Sequence, residues 1–141
     1  MPPTKCTIAI VEDDASFRRA LERLLYAFGF DAHTFASAEE FLRSTAPESH
    51  ACLIVDLHLP GMSGFDLLDD LSTVVPPPPA IFITAQDADS LRERASRIPN
   101  SVYLHKPFLG AVLLEAVLFG RNGSCAESSI GSLPSATDNP E

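Results

Sequence analysis

The sequence predicts an α/β fold, a doubly wound parallel sheet of five strands with helices on both faces. Three observations carry that expectation. Short apolar runs rich in β-branched residues recur along the chain, and each is followed by a stretch with apolar residues at helical spacing. The connections between them are short, so each strand–helix–strand unit should close as a right-handed crossover. The alternation stops near Gly120, after which Ser, Gly, Asn, Pro and Ala dominate.

The elements follow in order. "TIAIV" (7–11) is a short β-branched run, read as a buried strand. Residues 15–28 place Phe17, Ala20, Leu21, Leu24, Leu25 and Phe28 on one stripe, the mark of an amphipathic helix, and Gly29 stops it. "DAHTFA" (31–36) alternates as a second strand. Ser37 and Glu40 have capping-box spacing and open a short helix through Phe41 and Leu42. "ACLIVD" (51–56) is the third strand. Residues 64–75, with Phe65, Leu68 and Leu71, form a third helix that Pro76 to Pro79 stop. "AIFIT" (80–84) is the fourth strand, 88–97 a charged, weakly amphipathic helix, and "SVYLH" (101–105) the fifth strand. After Pro107, the residues Leu109, Val112, Leu113, Ala116 and Val117 make the last stripe. Five βα units in series match a flavodoxin-like sheet with strand order 2-1-3-4-5. Residues 1–120 are therefore one domain, and 121–141 a mobile polar tail too short for a second.

Composition narrows the chemistry. With 141 residues and 45% hydrophobic content, the chain suits a single globular domain with a proper core. A net charge of −9 and a pI near 4.7 argue against direct contact with nucleic acid or an anionic membrane. They suit cation binding. The three cysteines, Cys6, Cys52 and Cys125, lack metal-ligand spacing, and the odd count fits a reduced, cytoplasmic setting; Cys6 and Cys52 read as small core residues. "MPPTKC" is no signal peptide, and no stretch reaches the ~18 apolar residues of a membrane helix.

In such sheets, ligands bind beyond the carboxyl ends of the strands. Strand one ends in Glu12, Asp13 and Asp14; strand three in Asp56; strand four in Thr84; Lys106-Pro107 follows strand five. With the order 2-1-3-4-5 these residues converge on one pocket. Several carboxylates in one cleft repel without a counter-ion, and a hard divalent cation supplies it. Mg²⁺ takes oxygen ligands and combines one or two carboxylates with a phosphate oxygen. Held by Glu12 and Asp13, it would place a phosphoryl group against Asp56, with Lys106 as point charge and the Thr84 hydroxyl as hydrogen-bond partner. Those are the parts phosphoryl transfer needs, and they make Asp56 a nucleophile for phosphate.

The ordered set resembles the receiver domain of two-component response regulators. The residues are the acidic pair after strand one, "VDLHLPGMSG" around Asp56, Thr84-Ala85, Tyr103 and "KPF" at 106–108. "VEDDASFRRALERLL", "FASAEEFL" and "LPGMSGFDLL" are similar to the FixJ type, and the resemblance covers residues 7 to about 119. It implies Asp56 as phosphoacceptor, Lys106 as phosphate-binding cation, and Thr84 and Tyr103 as a switch pair. Arg18 sets the register in which Glu12 and Asp13 are the acidic pair, Asp13 the direct Mg²⁺ ligand and Asp14 the cap of helix one. Asp56 and the backbone carbonyl of His58 complete the implied metal ligands. A half-buried strand aromatic is the alternative for Tyr103. His58 and His105 read as loop or surface side chains, and His33 and His50 carry no signal.

The implied function is a relay step: a sensor histidine kinase donates phosphate to Asp56, and the phosphorylated domain biases helix four, strand five and helix five toward a downstream protein. Such a domain catalyses only its own phosphorylation and dephosphorylation. The alternative is a pseudo-receiver that binds proteins without phosphorylation. A flavodoxin would want a Ser/Thr/Gly phosphate loop after strand one, where three acids stand. A haloacid-dehalogenase-like phosphatase would want an Asp at position 58, where His58 stands. FixJ-type regulators continue into a DNA-binding domain, whereas this chain ends in a polar tail, either as a stand-alone receiver or as a piece of a longer regulator. "SRIPNSVYLH" replaces the family's small-residue turn before strand five, with Pro99 and Asn100 making the turn instead, which implies a monomer or a weak phosphorylation-linked dimer.

Overall fold

The computed structural model describes residues 7–44, 50–72 and 79–120. Cys6, Cys125, residues 73–75 of the expected third helix, the prolines at 76–78 and the expected tail at 121–141 lie outside the described residues. Five strands and five helices alternate: β1 (Thr7–Val11), α1 (Ala15–Ala27), β2 (Asp31–Phe35), α2 (Ala38–Ser44), β3 (Cys52–Asp56), α3 (Gly64–Ser72), β4 (Ala80–Thr84), α4 (Asp89–Ser96), β5 (Ser101–His105) and α5 (Gly110–Gly120). The strands form one parallel sheet in the order β2-β1-β3-β4-β5.

The pleat divides each strand between two cores. Ala9, Val11, Leu53, Val55, Ala80 and Phe82 face α2, α3 and α4, where Phe41, Phe65, Leu68 and Ala95 meet them. Ile8, Ile10, Cys52, Ile54, Ile81 and Ile83 face α1 and α5, against Leu21, Leu25, Leu113 and Val117. Burial on both faces explains why β1, β3 and β4 read as continuous apolar runs rather than as alternating ones. Burying a core side chain of the size of Phe82 contributes about 3–5 kcal/mol against Ala.

Helix ends follow the expected chemistry. The Asp14 carboxylate accepts from the N–H groups of Ser16 (2.9 Å) and Phe17 (3.2 Å), which caps α1 as the register implied. Ser37 Oγ accepts from Glu40 N at 3.0 Å, while Glu40 Oε1 reaches back to Ala36 N, one residue earlier than in the standard box. Asn100 takes φ +59 to make the turn into β5, and its carbonyl accepts from Ala80 N at 3.1 Å. Ser101 Oγ then donates to the carbonyls of Ala95 and Ile98, closing the C-terminal end of α4.

Two expected stripes need correction. On α5, Leu109 is 73% exposed and Val112 39%, while Leu114 is buried. The helix begins only at Gly110, so Leu109 precedes it, and its apolar residues are too many for their spacing to select a face. On α1, Ala20 and Phe28 are exposed, and Leu21 and Leu25 carry the burial.

Candidate functional site

The strand ends converge as the topology requires. The ladder runs one residue past β1, β3 and β5: Glu12 N donates to Phe35 O, Leu57 N to Ile83 O and Lys106 N to Thr84 O, at 2.8 to 3.0 Å. Backbone pairing of this kind aims Glu12 and Lys106 as firmly as the residues inside the strands. Lys106 Nζ then donates to Glu12 Oε1 at 3.1 Å and to Asp56 Oδ2 at 3.2 Å, joining positions that are 94 and 50 residues apart. Its ammonium also sits 4.4 Å from the centroid of the Phe17 ring. The remaining oxygens are held by backbone donors. Glu12 Oε2 accepts from Asp14 N at 3.1 Å, and Asp56 Oδ1 from His58 N at 2.8 Å. Arg18 Nη1 donates to the Glu12 carbonyl at 2.8 Å, fixing α1 against the acidic turn.

The loop after Asp56 is braced from two sides. A Cβ on Gly64 would lie 3.0 Å from the Asp56 carbonyl oxygen and 3.2 Å from the side chains of Leu57 and Val55, so α3 starts against β3 only because position 64 is Gly. From α2, Glu39 Oε2 accepts from Met62 N at 3.0 Å, beside Gly61 at φ +77. Glu39 was not singled out by the sequence, and nothing in its helical context signals a tie to a loop 23 residues on.

Charge in this cleft is dominated by burial. Glu12 and Asp56 are 1% and 5% exposed, and Asp13 is exposed at the rim. Burial pushes the Glu12 carboxyl up to about 7; the Asp14 N–H and Lys106 oppose that shift and the charge of Asp56 adds to it. Lys106 loses some basicity to burial, but its bonds and charge interactions with Glu12 and Asp56 outweigh this and leave its pKa raised. Ligand oxygens of Glu12, Asp13 and Asp56 all lie within 4.8 Å of one another. An all-oxygen set with acids in excess of the lysine that contacts them fits a hard divalent cation such as Mg²⁺.

Thr84 and Tyr103 occupy different places. Thr84 is fully buried at the end of β4, and its Oγ1 donates to Gln86 O (3.2 Å) and accepts from Gln86 N (3.0 Å). Tyr103 is half-buried, with its ring against the α2–α4 side of the core, and its hydroxyl donates to Asp87 Oδ1 at 2.8 Å, away from Lys106 and the acids. Asp87 was not anticipated, since one acid before a charged helix carries no distinguishing signal. His58 and His105 are exposed, as expected. His33 and His50 do meet: His33 Nδ1 lies 3.2 Å from His50 Nε2, with His50 buried against Phe35 and Phe41. A strand residue and a loop residue 17 positions apart offer no periodicity from which that pairing could be read.

Fold and cleft together define a flavodoxin-like domain built around an acidic pocket rather than around a phosphate-cradling loop. Comparison with known proteins is narrower. Residues 8–118 match the response regulator receiver domain, and the chain belongs to that family. It is similar to nodulation protein W of Bradyrhizobium diazoefficiens, at 39% identity over 115 residues that cover 82% of this chain and 51% of the relative. It is also similar to the transcriptional regulatory protein FixJ of the same organism, at 31% over 105 residues, covering 74% and 51%. Among solved structures, the response regulator StyR superposes with a TM-score of 0.76 at 38% identity, covering 83% of this chain and 59% of that one. FixJ-N superposes with a TM-score of 0.75 at 29% identity, covering 85% and 96%. The chain thus spans about half the length of these curated relatives. No helix among the described residues is long and apolar enough to cross a membrane.

Proposed function

We propose that this chain is a working phospho-receiver in a cytoplasmic two-component relay, with Asp56 accepting a phosphoryl group from a sensor histidine kinase. The observation that carries this is the meeting of Glu12, Asp13 and Asp56 oxygens within 4.8 Å, with Lys106 Nζ 3.2 Å from Asp56 Oδ2. An Asp56 carboxylate oxygen forms the new bond to phosphorus; the P–N bond to the donor imidazole breaks, and its electron pair stays on that nitrogen. Lys106 balances charge on the phosphoryl oxygens, and the Thr84 hydroxyl hydrogen-bonds one of them. Glu12, Asp13, Asp56 and the His58 carbonyl would hold Mg²⁺, which supplies neutralisation of charge on the phosphoryl oxygens. Thr84 and Tyr103 act as the switch pair that passes the change to a downstream protein.

On this reading residues 1–120 are the receiver and 121–141 a tail, and the receiver works as a monomer or a weak phosphorylation-linked dimer without touching nucleic acid or membrane itself. The test is intact-mass spectrometry after incubation with acetyl phosphate, with and without Mg²⁺, on the parent chain and on Asp56→Asn. One phosphoryl group, added only with Mg²⁺ and absent from the variant, is the expected result. No addition under any condition overturns the reading in favour of a phosphorylation-independent binding module.

A further inference from the structure

One face of the Tyr103 ring lies on the core, and its hydroxyl and other contacts go to one short stretch of chain. Its hydroxyl donates to Asp87 Oδ1 at 2.8 Å. The Arg92 guanidinium lies 4.9 Å from the ring centroid and pairs with the other oxygen of Asp87. One carboxylate therefore receives the phenol on one side and the guanidinium on the other, while the guanidinium also covers the ring. The stretch begins at Thr84, whose hydroxyl is turned back onto Gln86. For that hydroxyl to swing to the cleft, it must release Gln86, the neighbour of Asp87. Both groups of the proposed switch are thus tied to the segment between β4 and α4. The contacts also show in the acidities. The phenol holds the Asp87 carboxyl below its ordinary value, with Arg92 adding to this; burial, with Asp87 next, raises the Tyr103 hydroxyl.

We propose that Asp87, oriented by Arg92, is a positioning residue that clasps Tyr103 in its outward place and so sets the resting bias of the domain against its phosphorylated form. The proposal rests on the receiver reading. Ligands and conformations are linked reciprocally: if phosphorylation draws Tyr103 out of the clasp, then weakening the clasp favours the phosphorylated state by the same factor. The clasp is exposed, so its bias is small and salt-sensitive. One net hydrogen bond of this kind corresponds to a factor of about threefold to tenfold.

The chain contains two tyrosines and no tryptophan, so a Tyr26→Phe background leaves Tyr103 as the lone intrinsic fluorophore. Tyr26 is half exposed on α1. A carboxylate that accepts from a phenol quenches its emission by taking the proton in the excited state. In this background the full chain would be compared with its Asp87→Ala, Asp87→Asn and Arg92→Ala variants. The readouts are Tyr103 emission, apparent affinity for beryllofluoride with Mg²⁺ as a phosphoryl analogue, thermal midpoint and acetyl-phosphate labelling. Expected are brighter emission in both Asp87 variants, tighter beryllofluoride binding on the order of threefold to tenfold, a smaller effect for Arg92→Ala, and an unchanged midpoint. High salt should narrow the gap between parent and variants. A merely structural Asp87 would move the midpoint instead. If the parent is labelled on Asp56 but the variants bind beryllofluoride no more tightly, or emit no more brightly, the clasp is overturned and the receiver reading stands. If the parent is not labelled at all, the receiver reading falls and takes the clasp with it.

Discussion

The cleft and the β4–α4 rim are built from the same three kinds of group. In the cleft, Lys106 lies over Phe17 and bonds the carboxylates of Glu12 and Asp56. At the rim, Arg92 lies over Tyr103 and pairs with the carboxylate of Asp87. What separates them is water. The Lys106 and Glu12 side chains are 18% and 1% exposed, against 55% and 34% for Arg92 and Asp87. Accordingly burial is the leading cause for Glu12 and raises its pKa, whereas a direct partner is the leading cause for Asp87 and lowers its pKa. The cleft therefore stores repulsion that an incoming cation can relieve. The rim stores little and can be rearranged cheaply. A receiver needs both: a place where charge is expensive, and a latch that yields to a small push.

The sharpest way to break this comparison is to remove the cleft cation. Lys106→Met leaves two buried carboxylates facing each other, and breaking such a pair should cost roughly 3 kcal/mol in chemical denaturation at pH 8. The loss should shrink at pH 5, where Glu12 already carries a proton. Acetyl-phosphate labelling of Asp56 should drop severely in the same variant. A cleft that tolerates Met at position 106 with no change at either pH would mean that water, not Lys106, solvates these acids.

Next in size is the effect of pH. The folded Glu12 titrates at about 7 against an ordinary 4.5, so the native state holds this proton more tightly than the unfolded chain. The group's contribution to stability is fully present below about 4.5 and is lost as pH rises through about 7. Denaturation midpoints should therefore rise on acidification across that window, and Glu12→Gln should flatten the rise. Asp87 has the opposite sign: its folded value is lowered from 3.8, so its contribution is present above 3.8 and lost as pH falls below it. Mg²⁺ requires the Glu12 carboxylate ionised, so its effect on thermal midpoint should be larger at pH 8 than at pH 6. Equal effects at the two values would remove Glu12 from the cation site.

These contrasts also explain what could be read from sequence. β1, β3 and β4 were legible because β-branched runs buried on both faces leave an uninterrupted apolar signature, and β2 because it alternates; β1, β4 and β5 begin and end where expected. The convergence of Glu12, Asp56 and Lys106 followed from strand order, which places the ends of β1, β3 and β5 around one cleft. The partners of those groups did not follow. That Lys106 lies on Phe17, that Glu39 reaches Met62, or that His33 meets His50 depends on side-chain directions across elements, and residue spacing within one element is silent about them. Asp87 was hidden for the same reason. The face of α5 was misjudged because "GAVLLEAVLFG" is apolar nearly throughout, and periodicity needs polar residues to mark a phase.

A smaller effect tests whether the cleft is braced by backbone while the rim is not. Gly64→Ala puts a Cβ 3.0 Å from the Asp56 carbonyl oxygen, and backbone cannot swing aside as a side chain can. The cost should be about 1–3 kcal/mol, with slower labelling of Asp56 because β3 and α3 are pushed apart just where the acid sits. Slower labelling with no loss of stability would locate the strain in the loop alone.

The smallest expected effect belongs to Arg92→Ala, and its smallness is what makes it informative. Arg92 is exposed, its pairing with Asp87 is open to solvent, and exposed pairs are screened by salt and offset by the entropy of ordering long side chains. The thermal midpoint should not move measurably, and whatever shift appears at low salt should vanish at high salt. The Lys106→Met loss should respond less to salt, because Glu12 is 1% exposed and a buried pair is screened far less than an exposed one. If Arg92→Ala instead destabilises the chain as much as Lys106→Met and salt leaves both untouched, exposure is not what divides the two sites. Tyr103 would then be anchored as part of the core, and a latch that yields to a small push would have no place in this fold.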